Sequence, residues 1–413
     1  MSDPDPATAA RGSDWRGAIA LARDATLGLT DIVEAMHAQI ARPLGRRAAP
    51  GVAARTGGIT GLVYGSVRGV TRLVGSGADA VVRATSAVAP RRPDAAPSFE
   101  REAVVAALNG VLGDQLAAKG NPLAIAMAMR SRGRALRLEP ASLTAVLGGA
   151  GPKPLVLAHG LCMNDLMWTR EGHDHGAALA RDLGYTPVYL HYNSGLHVST
   201  NGRAFADLMQ ALVSHWPVPI EELSLLTHSM GGLVARSAVQ LAADTGMSWV
   251  QRLDRLAFLG TPHHGAPLER GGHWIDLLLG ASKFSAPLAR LGQLRSAGIT
   301  DLRHGSVRDS DWAGRGRFAH GADTRLPLPL PAGLACYAVA ARAGEQTDDL
   351  RSRLIGDGLV PVASALGRHD EPRRALAFAP GRQWVAEGVN HLQLLSDARV
   401  YARLRDWFAA SLR

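Results

Sequence analysis

The sequence predicts an α/β fold in which helices cover both faces of a mostly parallel sheet. Of the 413 residues, 46% are hydrophobic, so the chain can bury a large core. After Pro154, short apolar runs alternate with loops and helical patterns, an order typical of parallel strands joined by helices. One long segment, 265–331, interrupts this alternation. Together these observations favour a sheet that is covered on both faces and carries one large insertion.

The strands are predicted from apolar runs, and the helices from apolar residues spaced three and four positions apart. The predicted strands are 155–158, 186–191, 223–227, 253–259 and 334–340. The predicted helices in this part are 202–215, 230–243 and 397–412. Before them, 123–138 has two open interpretations, a β-hairpin or a helix through 123–129. The insertion follows the fourth strand, so we expect it to form a cap over the carboxyl end of the sheet, where ligands bind in such folds.

Upstream of the sheet, the sequence predicts helices. Apolar residues recur on one face over 14–41, and another helix is expected over 98–118. Between them, a helix over 52–88 is predicted to present a smooth contact face made by glycines at every fourth position: Gly57, Gly61, Gly65 and Gly69. Residues 1–120 are therefore predicted to form a helical accessory region, an N-terminal extension of the sheet-containing part.

Charge and cysteine content limit the partners and the compartment. The formal net charge is +9, but the arginines are scattered and no arginine block is interleaved with aromatic residues, so no nucleic-acid partner is predicted. Cys162 and Cys336 are far apart and lack zinc-binding spacing, which predicts two buried thiols in a reducing compartment. The polar N-terminus lacks the pattern of a secretory signal, and no apolar run is long enough for a membrane span. We therefore expect a soluble, cytoplasmic protein, with peripheral membrane contact left open.

The most informative motif is Leu225-Leu-Thr-His-Ser-Met-Gly-Gly-Leu-Val-Ala235. An apolar strand ends, a serine follows among small residues, and an apolar helix begins. This order is a nucleophile elbow, a turn that exposes a serine hydroxyl at the end of a strand. Ser229 is therefore the predicted nucleophile. The amide of Met230, at the helix N-terminus, is a predicted donor to the oxyanion that forms during acyl transfer.

The segment His228–Gly232 resembles the α/β-hydrolase superfamily, and especially lipases and esterases similar to GPI inositol deacylases. Thr227 stands where the G-x-S-x-G pattern of that superfamily has its first glycine. The segment Leu155–Asn164, a strand that ends in His159-Gly160, resembles the oxyanion loop of the same superfamily. The resemblance implies that the amide of Leu161 supplies the second oxyanion donor.

Two further motifs follow the fifth predicted strand. Gly356–Pro361 resembles the D-G-x-V-P segment of lipases, and an acid in such a loop can orient a histidine. Gly388–Leu395 precedes the last helix and resembles the histidine loop of the superfamily. The resemblance implies Asp357 as the orienting acid and His391 as the general base, in the superfamily's chain order Ser229, Asp357, His391. The competing residues lie in polar or charged stretches that are typical of a solvated surface: Asp348, Asp349 and His369.

Other histidines are assigned structural roles. Two pairs invite a metal interpretation, but adjacent residues do not easily chelate from one face, and no carboxylate lies at helical spacing, so no metal is predicted. These pairs are His173 with His175, expected in a surface loop, and His263 with His264. His159 is expected to be a packed, hydrogen-bonded loop histidine, because the superfamily uses backbone groups at this position.

The resemblance covers about 121–413 and implies a catalytic domain there, with the cap over about 265–331. It implies a serine carboxylic ester hydrolase, esterase- or lipase-like, that acts on a small-molecule or lipid ester through an acyl-enzyme and needs no cofactor. Two alternatives stay open. One is an acyltransferase with the same triad, and the other is a non-catalytic binding or membrane-surface scaffold. Acyl length and oligomeric state are left undefined by the sequence.

Overall fold

A computed structural model describes residues 14, 16–24, 27, 68, 72, 76, 98–266, 295–314, 323–343, 357 and 359–411. The chain divides into two compact units, one made of 1–96 with 118–124 and the other of 97–117 with 125–413. In the smaller unit, 16–24 is helical, and the Asn121 side-chain amide donates to the carbonyl of Gly17 at 3.1 Å. The glycines of the predicted 52–88 helix lie outside the described residues.

The larger unit is built on an eight-stranded sheet. Its strands are β1 (Ala128–Ser131), β2 (Arg134–Ala135), β3 (Pro154–Ala158), β4 (Thr186–His191), β5 (Leu223–His228), β6 (Leu253–Leu259), β7 (Ala335–Arg342) and β8 (Gln383–Glu387). They lie in the order β2-β1-β4-β3-β5-β6-β7-β8. Within the group β3 to β8, every pair of neighbouring strands is parallel. Strand β1 pairs antiparallel with both β2 and β4. The predicted mostly parallel sheet is confirmed.

The hairpin interpretation of 123–138 is also confirmed. Ser131 faces Arg134 in the β1–β2 ladder, so only Arg132 and Gly133 form the turn. Both have positive φ, 51° and 77°, as a type I′ hairpin turn requires. Glycine adopts this conformation at little cost, which favours a chain reversal at Gly133.

The helices of the larger unit cover both faces of the sheet, as predicted. They are α1 (Phe99–Ala118), α2 (Pro140–Leu147), α3 (His175–Leu183), α4 (Val198–Ser214), α5 (Met230–Thr245), α6 (Ala297–Asp301), α7 (Val362–Ala365) and α8 (Ala398–Ala409). Helix α5 packs on α4 and on strands β3 and β5, while α3 packs on α8 and β4. Residues of α3 and α8 share a buried cluster with Leu155 and Leu157 of β3, and the alternate residues of β3 face the other side. Among the described helices, none is long and apolar enough to cross a membrane.

The topology defines where a ligand can approach. Every residue of β3 and of β5 is buried, which is typical of central parallel strands covered on both faces. From β3 the chain moves to β4 on one side and then returns to β5 on the other. Such a change of direction opens a crevice at the carboxyl ends of the strands. The predicted site loops follow β3 and β5, so they lie at this crevice.

Helix α1 packs closely against the loops that follow β3 and β4. A Cβ on Gly110 would lie 2.2 Å from Cys162 Sγ, and one on Gly113 would lie 1.8 Å from Asn193 Oδ1. The Asn193 side-chain amide donates to the carbonyl of Gly113 at 2.9 Å. The predicted helix over 98–118 thus belongs, up to residue 117, to the compact unit that contains the sheet. The domain boundary near residue 120 stays a prediction.

Part of the predicted cap, 265–331, lies outside the described residues, including all of its apolar stretch from 274 to 284. Its described part contains α6 and contacts α1. The Ser296 hydroxyl donates to the carbonyl of Gly110 at 2.6 Å, and the Ala297 amide donates to Asp114 at 3.2 Å. The end of the insertion is therefore anchored on α1.

Candidate active site

Ser229 occupies the turn between β5 and α5. Its backbone has φ 52° and ψ −124°, a region that L-residues other than glycine adopt only under strain, at about 1–3 kcal/mol. The Ser229 amide donates to the carbonyl of Leu259 at 2.8 Å, which holds the turn against the end of β6. The structure therefore places Ser229 at a strained strand-to-helix turn, the geometry that the elbow motif predicts.

Two glycines allow α5 to begin close to the sheet. A Cβ on Gly231 would lie 2.3 Å from the carbonyl oxygen of Ala158, and one on Gly232 would lie 2.0 Å from the hydroxyl of Thr261. Either side chain would push the helix away from the strands. Thr227, which replaces a glycine of the usual pattern, is accommodated as the penultimate residue of β5. It is fully buried, and its hydroxyl donates to the carbonyl of Ala257 at 3.0 Å.

The loop after β3 lies against Ser229. A Cβ on Gly160 would be 3.1 Å from Cβ of Ser229, so a side chain there would crowd the serine. Leu161 is fully buried, and Cys162 has φ 59° with its amide donating to the hydroxyl of Ser194 at 3.0 Å. At the first position of α5, the amide of Met230 has no acceptor within the helix. The two segments that carry the predicted oxyanion donors thus both adjoin Ser229.

Asp357 and His391 are brought together from loops that are 34 residues apart. The Nδ1–H of His391 donates to Asp357 Oδ2 at 2.6 Å, and both residues are at most 1% exposed. Asp357 Oδ1 accepts hydrogen bonds from the amides of Leu359 and Val360 at 2.9 and 2.8 Å. Nε2 of His391 is buried and has no hydrogen-bond partner in the part of the chain that the structure describes.

Of the competing residues, only His369 is described by the structure, and it makes its contacts elsewhere. His369 accepts a hydrogen bond at Nδ1 from the amide of Glu371 at 3.0 Å, a contact within its own turn. Asp348 and Asp349 lie outside the described residues. The structure thus supplies a buried acid–histidine pair at Asp357 and His391 and describes no comparable pairing for His369.

Gly260, directly after β6, is a site residue to which the sequence analysis gave no role of its own. Its φ is +60°, and an added Cβ would lie 2.9 Å from Cε1 of His391 and 2.9 Å from Cδ1 of Leu394. Its amide donates to the carbonyl of Val339 at 2.8 Å. Glycine is therefore required at this position for two reasons: the backbone conformation and the close approach of the imidazole. The sequence did contain a signal for this role, because a glycine stands immediately after a buried strand.

His228, the residue before Ser229, contacts His391. Its Nε2 lies 3.1 Å from the carbonyl oxygen of His391, and the two ring centroids are 4.7 Å apart. The side chain is fully buried, and burial together with the neighbouring His391 holds the pKa of His228 well below its ordinary value. The ring is therefore neutral at physiological pH. His228 was predicted only as a member of the elbow motif, because its contact with His391 is not visible in the sequence.

His159 behaves as the packed loop histidine that was expected. Its ring stacks on Tyr192 with the centroids 4.3 Å apart, and its Nδ1–H donates to the carbonyl of Gly160 at 2.8 Å. The Tyr192 hydroxyl donates to the carbonyl of His159 at 2.8 Å. Burial lowers the pKa of His159 to about 3. Its role is to hold the loop after β3 in place.

The histidine pairs also make structural contacts. His264 Nε2 lies 3.1 Å from the carbonyl oxygen of Gly367, and His263 Nδ1 lies 3.4 Å from the guanidinium of Arg236. The expectation that His173 and His175 lie in a surface loop was wrong for His175. It is the first residue of α3, is fully buried, and binds the carbonyl of Leu394 through Nε2 at 2.9 Å.

One cluster among the described residues has the donor set of a metal site. Single ligand atoms of Glu102, Asp165 and His191 lie within 4.8 Å of one another, and all three residues are buried. A guanidinium nitrogen of Arg130 already lies 2.7 Å from Glu102 and 3.2 Å from Asp165. Together with Arg101, which also pairs with Glu102, this arginine balances the charge of the two carboxylates that would have to bind the ion. The cluster is best described as a buried ion-pair network beneath the loop after β3.

Comparison with known proteins agrees with this architecture. Residues 203–323 match the family model described as a PGAP1-like alpha/beta domain. No curated protein sequence matches the chain. The family match and the sheet together confirm the α/β-hydrolase fold and the predicted resemblance to that superfamily.

Several solved structures are similar over about three fifths of the chain. The lipase BlEst2 of Bacillus licheniformis in its mature form has 17% identity, covering 62% of this chain and 94% of that chain, with a TM-score of 0.40. Lipase B of Aspergillus fumigatus has 13% identity, covering 63% and 56%, with a TM-score of 0.38. An esterase of Pyrobaculum calidifontis has 14% identity, covering 64% and 76%, with a TM-score of 0.37.

Proposed function

We propose that this α/β hydrolase cleaves carboxylic esters with Ser229 as nucleophile, His391 as general base and Asp357 as the acid that orients His391. Ser229 attacks the acyl carbonyl while His391 Nε2 takes its proton. His391 then gives that proton to the leaving alcohol, and water resolves the acyl-enzyme by the same route. This sequence of steps needs no cofactor.

One observation carries the proposal: the buried hydrogen bond of 2.6 Å between His391 Nδ1 and Asp357 Oδ2. The bond fixes the tautomer, because Nδ1 donates to the carboxylate and Nε2 is left as the basic nitrogen. His228 links this pair to the elbow, since it precedes Ser229 and its ring lies 4.7 Å from that of His391. This contact supports the assignment of His391 as the general base that serves Ser229.

The amides of Leu161 and Met230 are proposed to bind the oxyanion. Both belong to segments that adjoin Ser229, and the α5 N-terminus contributes a partial positive charge. Donors that are fixed before the reaction stabilise developing negative charge without reorganisation, and removing one typically costs about 10²–10³-fold in kcat. The close packing at Gly160 and Gly231 would hold these amides in place.

We propose a small-molecule or lipid ester as substrate, with the 265–331 segment acting as a cap that shapes an apolar acyl pocket. The apolar residues of this segment motivate the idea: Trp274, Ile275, Leu277, Leu278, Leu279 and Phe284. A cap of this kind excludes water from the reaction. Esters with chains of medium length are then expected to react faster than acetyl esters or polar amides.

The test combines covalent labelling with a substrate panel. Wild-type protein should be labelled by a fluorophosphonate and should hydrolyse p-nitrophenyl esters, and Ser229→Ala should abolish both. Ser237→Ala is a matched control, since Ser237 is another buried serine on α5 and should retain both activities. Hydrolysis by Ser229→Ala at the wild-type rate on several esters would refute the mechanism.

The two alternatives have their own outcomes. An acyltransferase would be labelled equally well but would transfer the acyl group to an added alcohol or thiol in preference to water, which product analysis by mass spectrometry measures. A non-catalytic scaffold would show neither labelling nor hydrolysis in the wild-type protein. Binding to vesicles with and without anionic lipid, measured by sedimentation, tests the peripheral membrane contact that the sequence leaves open.

A further inference from the structure

His228 contacts three parts of the candidate site: the elbow that carries Ser229, the loop that carries His391 and the loop after β3. It is the last residue of β5, so its backbone is fixed by the ladder with Leu259 and is continuous with Ser229. Its side chain reaches across to the carbonyl of His391 at 3.1 Å. On another side, a Cβ placed on Gly160 would lie 3.1 Å from Nδ1 of His228, so the ring also faces the loop after β3.

The hydrogen-bond pattern determines the tautomer of His228. A carbonyl oxygen only accepts, so Nε2 of His228 must carry the proton and donate it to His391. The ring is neutral and has one N–H, so Nδ1 is a bare acceptor. This nitrogen is buried and lacks a partner among the described residues. The imidazole is therefore held by a single directed hydrogen bond, and that bond ends on the main chain of His391.

Packing keeps the ring from moving away. Trp168 approaches it edge-on with the centroids 6.5 Å apart, and the His391 ring lies at 4.7 Å with an interplanar angle of 47°. His228 is 0% exposed. A shift of the His391 loop relative to β5 would have to break the hydrogen bond or displace this ring. His228 thus fixes the main chain of His391 relative to the residue that precedes the nucleophile.

We propose that His228 is a positioning residue that sets the separation between Ser229 and the His391 imidazole. The inference rests on the proposed function. Asp357 controls the rotation and tautomer of His391 through Nδ1, whereas His228 controls the place of its main chain. A displacement of about 1 Å in a reacting group can cost about 10²-fold in rate, so one hydrogen bond to a backbone oxygen suffices for a measurable effect on turnover.

Two substitutions separate the hydrogen bond from the packing. His228→Leu fills much of the volume but removes the donor, and His228→Gln retains an amide donor at a similar reach. His264→Leu and His264→Gln are the matched controls, because His264 also binds a backbone carbonyl through Nε2, at the same distance of 3.1 Å. kcat and KM are measured on a p-nitrophenyl ester and normalised to the fraction of sites labelled by fluorophosphonate. The melting temperature of each variant is recorded.

His228→Leu should lower kcat per labelled site by about 10- to 100-fold with KM within about threefold, and His228→Gln should recover most of the loss. The His264 variants should lower the melting temperature without a comparable change in kcat. The inference fails if His228→Leu keeps kcat per labelled site within twofold of wild type, or if His228→Gln is no better than His228→Leu. Should His228→Leu fail to fold, His228→Met takes its place as the variant without a donor, and the same limits on kcat per labelled site decide. Failure of the proposed function is distinct, since Ser229→Ala would then remain active.

Discussion

Gly260→Ala is the substitution whose effect can best be worked out from the geometry. The backbone has φ +60°, where a side chain costs about 1–2 kcal/mol relative to glycine. The new Cβ would lie 2.9 Å from Cε1 of His391 and 2.9 Å from Cδ1 of Leu394, about 0.6 Å closer than the lower limit of good carbon–carbon contacts. Overpacking of this kind costs about 1–3 kcal/mol. The free energy of unfolding should therefore fall by about 2–5 kcal/mol.

Activity should fall as well, because one of the two groups that must yield is the imidazole. A shift of His391 by half an ångström to one ångström predicts a loss of about 10- to 100-fold in kcat. Gly246→Ala is the control. Gly246 has φ +70° and an added Cβ would meet nothing within 4 Å, so the variant carries the backbone strain without the contact. It should lose about 1–2 kcal/mol and keep its kcat.

Urea unfolding of both variants and the wild-type protein, followed by circular dichroism, gives the difference in free energy, and steady-state kinetics on a p-nitrophenyl ester gives kcat. The difference between the two variants isolates the contact with His391 and Leu394. If Gly260→Ala and Gly246→Ala lose the same stability and have the same kcat, the close approach of Gly260 to His391 has no functional consequence and the reasoning is refuted.

Three further predictions concern the site and the network beneath it. Asp357→Asn should leave the fold intact and lower kcat by roughly 10⁴-fold, through the wrong imidazole tautomer; full activity in steady-state kinetics would exclude Asp357 as the orienting acid. Arg130→Met should cost about 3–5 kcal/mol in urea unfolding, because buried Asp165 would lose its arginine and Glu102 would keep only that of Arg101. Arg342→Met, at a more exposed pair, should cost at most about 1 kcal/mol; equal losses would contradict the buried network. The free energy of unfolding should also fall as the pH drops below about 6.5, by about 1.4 kcal/mol per pH unit for each buried neutral histidine. The cause is that the unfolded chain binds protons below this pH, whereas the folded chain binds them only when the lower pKa of its histidines is reached. Urea unfolding at pH 7 and 5.5 measures the difference, and equal stability at the two pH values would contradict the prediction. The histidines concerned are His159, whose pKa burial lowers to about 3, and His175 and His264, whose pKa values burial lowers to about 4.

The central strands were predictable because they are covered on both faces. β3, β5 and β6 appear in the sequence as short, mostly apolar runs, and their predicted bounds agree with the observed ones to within a residue. β8 was missed because most of its residues are only half-buried, so it lacks such a run. α3 was missed although Asp174 caps its N-terminus, accepting from the Ala177 amide at 2.9 Å. That cap was a usable local signal.

At the candidate site, the sequence predicted the residue types and their order but not the contacts among them. Motifs are local, so Ser229, Asp357 and His391 could each be proposed from a few neighbouring residues. The hydrogen bond from His228 to His391 joins residues 163 positions apart, and the clash that requires glycine at 260 involves the same distant loop. These features arise from tertiary packing, which no single stretch of sequence encodes.

The contact between Gly110 of α1 and Cys162 has a consequence for evolution and for protein engineering. A methyl group at 110 would strike Cys162 Sγ at 2.2 Å and would also lie 2.9 Å from Cα and 3.0 Å from the backbone nitrogen of Cys162. A smaller side chain at 162 would therefore not make room for it, and we expect glycine at position 110 in homologous chains. By the same logic, a fragment cut at residue 120 would lose the helix against which the loop carrying Leu161 is packed. The shortest active fragment should therefore begin before residue 98, and chimaeras should exchange α1 together with the loop after β3.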